Sequence, residues 1–172
     1  GIVYEVVLVD DASDECYRIE NEKNKRLPNV VYIQNECNMG RAAIRNRLAE
    51  IARYQYLLFM DCDTSVVHHD YIKKYLDVLP AEVVSGGYEY GDAKPRKENL
   101  LRWYYGHKRE VQPAAMRNKH PNASFSTFNF LIAKEIFSEV CFDTTLSGYG
   151  HEDTLFGIEL EKCGITVRHI DN

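Results

Sequence analysis

The sequence is short of the features that mark several large protein classes. Its five cysteines (Cys16, Cys37, Cys62, Cys141 and Cys163) are odd in number, scattered, and include no Cys-x-x-Cys pair. Such spacing suggests neither a zinc site nor a secreted disulfide framework, and it favours a reducing compartment. No apolar run approaches the roughly 18 residues of a membrane span, and no signal-peptide pattern opens the sequence. Internal repeats and low-complexity tracts are also missing. Positive charge is in deficit: 21 Lys and Arg stand against 26 Asp and Glu, a formal net charge of −5. That balance lacks the basic footprint of a nucleic-acid binder. The expected location is the cytoplasm, the inner face of the membrane included.

What is present is an ordinary globular balance, with 45% hydrophobic and 27% charged residues in a chain of 172, enough for one domain with a sizeable core. Apolar runs at 5–9, 30–34, 56–60 and 83–90 read as strands bounded by turn residues. Ala42, Ile44, Leu48, Ala49, Ile51 and Ala52 recur at near-helical spacing and predict an amphipathic helix over 41–53. A second helix is expected over 70–79, with Asp70 as its cap. This alternation predicts an α/β fold, a mainly parallel Rossmann-like sheet flanked by helices. The second half is less regular. An aromatic-rich helix is expected over 100–111, a polar connection and candidate mobile loop over 112–124, a strand over 125–133, helices over 134–140 and 152–163, and a closing strand over 165–170. Because the sequence begins almost directly in one apolar strand and ends just after another, residues 1–172 are expected to be a single domain truncated at both ends.

The strand at 56–60 runs straight into Asp61, Cys62 and Asp63. Side chains alternate along a strand, so the two aspartates leave on one side and Cys62 on the other. Two carboxylates in one small site repel unless a cation lies between them, and hard oxygen donors suit Mg or Mn. The same pattern also serves ordinary turns and helix caps. Asp10 and Asp11 follow the first strand in a similar way. Ligands of open α/β sheets gather beyond the carboxyl ends of the strands, so both acidic exits are expected to face one crevice.

Five segments occur in order: VDDAS at 9–13, NMGRAAIRN at 38–46, LLFMDCD at 57–63, STFNFLIAKEIF at 126–137 and GYGHEDTLFGIEL at 148–160. Together they resemble the family 2 glycosyltransferases of the GT-A fold, over nearly the whole chain, and 101–137 is most similar to bacterial members that build surface polysaccharides. The resemblance implies transfer of a sugar from a nucleoside-diphosphate donor, commonly a UDP-sugar, to a hydroxyl of a saccharide or glycolipid acceptor, with inversion. It implies that Asp11 accepts an N–H of the base, as a pure acceptor can, with Arg45 beside the nucleotide and Arg41 and Arg47 in solvent. Asp61 would contact the ribose or sugar. Asp63 would bind a divalent metal, Mn or Mg, that bridges the diphosphate and offsets the charge of the leaving group. Asp153 would be the catalytic base that takes the proton of the acceptor hydroxyl, and Asn129, Tyr149, His151 and Glu152 would line the donor-sugar or acceptor pocket. Trp103, Tyr104 and Tyr105 could stack on a sugar, but three consecutive helical side chains cannot all share a face.

Two departures from the family pattern stand out. The strand and helix that open the family's domain have no counterpart before Val6, and the family's histidine metal ligand is unmatched, since His169 falls within the closing strand. Two other readings of the acidic residues remain. In haloacid-dehalogenase-like phosphatases Asp61 would be the nucleophile and Asp63 the acid/base, although that motif belongs on the first strand and leaves Asp11 and 148–153 unexplained. A non-catalytic nucleotide-sugar-binding fragment would keep the same carboxylates.

Overall fold

The computed structural model describes residues 1–146 and 150–172. Strand β1 (Val6–Asp10) pairs in parallel with β2 (Val30–Gln34), Val6 opposite Val30 and Asp10 opposite Gln34. Parallel neighbours need a crossover, supplied by helix α1 (Glu15–Asn21) and a 3-10 turn over Glu22–Arg26. Helix α2 (Arg41–Ile51) leads to β3 (Tyr56–Met60), and α3 (Tyr71–Leu76) leads on to β4 (Val83–Ser85). After α4 (Leu100–Tyr105) and α5 (Ala114–Arg117) come β5 (Asn129–Ala133), α6 (Lys134–Glu139), α7 (Glu152–Lys162) and β6 (Arg168–His169). The second sheet has the order β3-β5-β4-β6.

The expected α/β class is what the chain adopts. Where a mainly parallel sheet was expected, the four-stranded ladder is mixed: β4 and β6 are parallel, but β5 runs antiparallel to both β3 and β4. The cause is local. The segment 86–128 leaves β4 and re-enters β5 at one sheet edge, where the Gly86 N–H meets the Asn129 carbonyl at 3.0 Å, so β5 has to run back.

β5 is central and all five of its residues are buried, as its unbroken apolar run requires of a strand covered on both faces. Alternation then sorts its side chains. Phe130 and Ile132 join Val83, Phe137, Phe156 and Leu160 in the larger core, while Leu131 packs with Val84 against Tyr71 and Tyr75 of α3. Ring stacking ties the larger core across elements, with Phe59 and Phe130 centroids 4.8 Å apart and Phe142 and Phe156 4.3 Å apart.

Asn129 opens β5 on the α3 side. Its Oδ1 accepts from the hydroxyls of Tyr71 (2.7 Å) and Tyr75 (2.6 Å), and its Nδ2 donates to the carbonyls of Gly87 (3.0 Å) and Asn172 (3.1 Å). Burial pushes the Tyr71 hydroxyl up to about 12 and raises that of Tyr75 further still. A Cβ on Gly86 would collide with the Tyr75 hydroxyl and the Asn129 amide, so this turn requires glycine.

The polar stretch 112–124 is not the expected mobile loop but a pinned one. Buried Arg117 donates to the carbonyls of Gln112 (3.0 Å) and Ile170 (2.8 Å) and to Nδ1 of His169 (2.7 Å). The Asn118 amide bonds both the carbonyl (3.0 Å) and the N–H (2.9 Å) of His169, and Asn122 reaches the carbonyl of Ile165 at 2.8 Å. These amides replace strand partners, which explains why β6 is two residues long where 165–170 was expected. Asp70 does not cap α3 with its side chain; its carbonyl receives the Lys74 N–H at 2.9 Å. Cys62 is exposed.

Asn129→Leu leaves two buried tyrosine hydroxyls without their acceptor and should lower unfolding free energy in urea by about 3 kcal/mol or more; a loss under about 1 kcal/mol would contradict the role given to this amide. His169 is held neutral, Nδ1 accepting from Arg117 and Nε2 donating to the Pro121 carbonyl at 2.8 Å. Burial pushes its pKa below the ordinary range, the Pro121 bond opposes this, and the Arg117 charge adds to it. The folded state therefore binds fewer protons than the unfolded one. Stability should fall as pH drops through about 6.5 and go on falling to the depressed folded-state value. His169→Gln should flatten the melting temperature between pH 7 and 5, and an unchanged slope would contradict this.

Candidate active site

A cavity of about 1050 Å³ opens beyond the carboxyl end of β3. Asp61 and Asp63 line it with the first turn of α7, including Glu152 and Asp153, and with the stretch 126–129 that leads into β5. Cys62 is not among the lining residues, as strand alternation requires. The backbone fixes the exit of β3: the Asp61 N–H donates to the Phe128 carbonyl at 3.1 Å, and the Thr64 hydroxyl donates to the Asp61 carbonyl at 2.7 Å.

Charge is concentrated here. The Asp61 carboxylate accepts from Nη2 of Arg45 at 3.0 Å, with the arginine side chain only 12% exposed against 37% for the aspartate. Burial pushes the Asp61 carboxyl above the usual carboxylate range, Arg45 pulls it down, and the charges of Asp63 and Asp153 push it up again. Arg41, the first residue of α2, borders the cavity and is exposed, in line with the expected solvent position.

The α7 end is built by an unusual turn. His151 stands just before the helix in the left-handed region at φ 71° and lines the cavity. Buried Glu152 folds back to accept the Gly150 N–H at 3.1 Å. Asp153 Oδ1 accepts from the Thr127 hydroxyl at 2.7 Å. Tyr149 lies outside the described residues.

Two residues that the sequence singled out have other work. Asn129 lines the cavity, yet its carboxamide already makes two accepting and two donating bonds within the protein, which is all that an amide offers. Asp11 is not among the lining residues. Its carboxylate accepts from the Asn35 amide at 2.8 Å and from the N–H groups of Met39 (3.0 Å) and Gly40 (3.2 Å). It therefore fixes the loop that starts α2, the helix that carries Arg41 and Arg45, and adjoins the cavity through that loop.

Part of the lining is aromatic. Tyr88 packs on Phe128 with centroids 5.0 Å apart, and Tyr90 donates to Glu110 at 2.5 Å, which also accepts from Arg102 at 2.7 Å. Of the aromatic triplet, Tyr105 lines the cavity, whereas Trp103 donates its indole N–H to the Gly91 carbonyl at 2.8 Å. Tyr88 and Tyr90 were missed in the sequence because tyrosines near charged residues carry no periodic signal.

The donor set suits a hard divalent cation. Asp61, Asp63 and Asp153 line one cavity; burial is the main cause that raises the Asp61 carboxyl, and the neighbouring charges of Asp63 and Asp153 add to it. Among the described residues no three ligating side chains are close enough to hold an ion by themselves. That fits Mg-type sites, in which one or two carboxylates are completed by substrate phosphates and water.

Comparison with known proteins agrees with this geometry. The sequence model of "Glycosyl transferase family 2" matches residues 2–141. Among curated relatives, a poly(ribitol-phosphate) beta-glucosyltransferase of Bacillus spizizenii is 42% identical over 62 residues, 35% of this chain and 10% of that protein. Chondroitin synthase of Escherichia coli is 23% identical over 98% of this chain and 29% of its own length. The chain thus spans less than a third of either relative. Among solved structures, S. aureus TarS 1-349 superposes with TM-score 0.67 at 19% identity, over 98% of this chain and 49% of that one. GalNAc-T7, crystallised with UDP, GalNAc and Mn2+, gives TM-score 0.60 at 19% identity, over 96% and 35%. Both structural likenesses concern the fold. The phosphatase reading falls away, since Asp61 follows the third strand and the family match covers it. Among the described residues no helix is long and apolar enough to cross a membrane. On the match over 2–141, and in keeping with the fold it shares with these glycosyltransferase structures, the chain belongs to glycosyl transferase family 2.

Proposed function

We propose that this domain transfers a sugar from a nucleoside-diphosphate donor, a UDP-sugar, to a hydroxyl of a saccharide or glycolipid acceptor, with inversion. The observation that carries the reading is the convergence of Asp61, Asp63 and Asp153 on one cavity, with tyrosines in the same lining. Asp63 would hold a divalent ion, Mn or Mg, and Asp61 would face the ribose or sugar once the donor is present. When bound, such an ion supplies positive charge that stabilises the departing diphosphate.

Asp153 takes the proton of the acceptor hydroxyl. The freed oxygen pair bonds to the anomeric carbon as the bond from that carbon to the diphosphate oxygen breaks, and the nucleoside diphosphate leaves with the bonding electrons. One displacement of this kind inverts the carbon. Arg45, held against Asp61 at 3.0 Å, and Arg41 add cationic charge beside the diphosphate. Asp11 would serve the base from the loop that it anchors. His151 and Glu152 shape the turn behind Asp153. Support for the donor class comes from the UDP and Mn2+ with which GalNAc-T7 was crystallised, and for polymer acceptors from the names of the curated relatives.

In the full-length protein, Asp63→Ala should remove most of the Mn- or Mg-dependent transfer without unfolding the domain, and activity that is indifferent to a metal titration would rule out the ligand role. Asp153→Asn keeps shape but cannot take a proton at neutral pH. Transfer should fall roughly 100-fold or more while donor affinity in calorimetry stays. A variant at nearly normal rate would move the base elsewhere, with Glu152 next to test, and donor binding without transfer by the unmodified protein would leave a binding module.

A further inference from the structure

Thr127 sits in the short segment between the cavity and β5 and is 4% exposed. Its hydroxyl donates to Asp153 Oδ1 at 2.7 Å, across 26 positions of sequence. The next residue, Phe128, accepts the Asp61 N–H through its carbonyl at 3.1 Å. Adjacent residues of one segment therefore grip both acidic arms of the site. The segment is itself held, since Asn129 follows it with four internal hydrogen bonds and the Phe128 N–H reaches Ser126 Oγ at 3.4 Å.

We infer that Thr127 is a positioning residue for Asp153 and that 126–128 sets the separation between the donor-side and acceptor-side carboxylates. The inference rests on the reading of Asp153 as the base. A carboxylate on the first turn of a helix can swing between rotamers, and only some present an oxygen to an incoming hydroxyl. A buried hydroxyl donor at 2.7 Å selects one of them. It commits Oδ1, so that Oδ2 becomes the oxygen that takes the proton. Hydrogen bonds to charged groups are the stronger ones, and small misplacements of a reacting group are costly in rate.

The test uses Thr127→Val, which removes the hydroxyl and keeps the shape, and Thr127→Ser, which keeps the donor, both in the full-length protein with Asp153→Asn alongside. Thr127→Val should lower kcat roughly 10- to 100-fold with donor KM unchanged, and Thr127→Ser should recover most of it. A Thr127→Val enzyme with normal kcat, or equal losses in both variants, would overturn the inference and leave Thr127 a packing residue. The Asp153 carboxyl 13C resonance provides a readout without turnover. It should shift in Thr127→Val and hold in Thr127→Ser; one position in all forms overturns the inference even if no transfer is detected. Full activity in Asp153→Asn would instead strike the base assignment, with the resonance still judging the hydrogen bond.

Discussion

The site depends on the burial of β5 at the middle of the four-stranded sheet. A strand covered on both faces cannot leave a polar side chain unsatisfied without a large penalty, and Asn129 meets that condition by filling all four of its hydrogen-bonding positions. Doing so ties together α3, the exit of β4 and residue 172. Directly before this fixed point come Phe128 and Thr127, which reach Asp61 and Asp153. The core amide thus locates the chemistry, although it has no capacity left for a ligand.

Electrostatics supplies the second constraint. Three carboxylates on one cavity oppose one another; the Asp61 carboxyl is raised chiefly by burial, with Arg45 pulling it down and the charges of Asp63 and Asp153 adding a smaller push upward. An arrangement of this kind is costly unless a ligand completes it. A cation bound together with a diphosphate would relieve the repulsion among the aspartates and satisfy the charge of the substrate in one step. In the same lining the Tyr90–Glu110–Arg102 chain is internally satisfied, which leaves Tyr88 and Tyr105 as aromatic surface on the cavity.

How much of this was legible in the sequence follows from the range of the interactions. The runs VVYIQ and YLLFM gave β2 and β3 to the residue, because apolar runs between turn signals state a strand locally. The strand-end aspartates were legible for the same reason, and the family match over 2–141 bears out the family that they pointed to; the Glu-Asp pair at the head of α7 lies beyond the matched residues. What escaped was set by partners far away in the chain. Nothing near Arg117 announces a bond to His169, 52 residues on, and nothing near Thr127 announces Asp153. The stretch 112–124 looked like a loop because Asn118 and Asn122 are polar; their amides in fact stand in for peptide groups beside β6. Asp11 was correctly placed just past a strand exit, while its bonds to Met39 and Gly40 depended on the path of a loop that sequence does not state.

The central claim is that the three carboxylates serve one active site, Asp61 and Asp63 on the donor side and Asp153 on the acceptor side, and a crystal structure of the full-length protein with UDP and Mn2+ tests it most directly. The expected result is an ion bound to Asp63 and to diphosphate oxygens inside the cavity, with Asp153 on the far side of the space left for the sugar and still bonded to Thr127. A diphosphate held elsewhere, or an ion that leaves Asp63 uncoordinated, would contradict it.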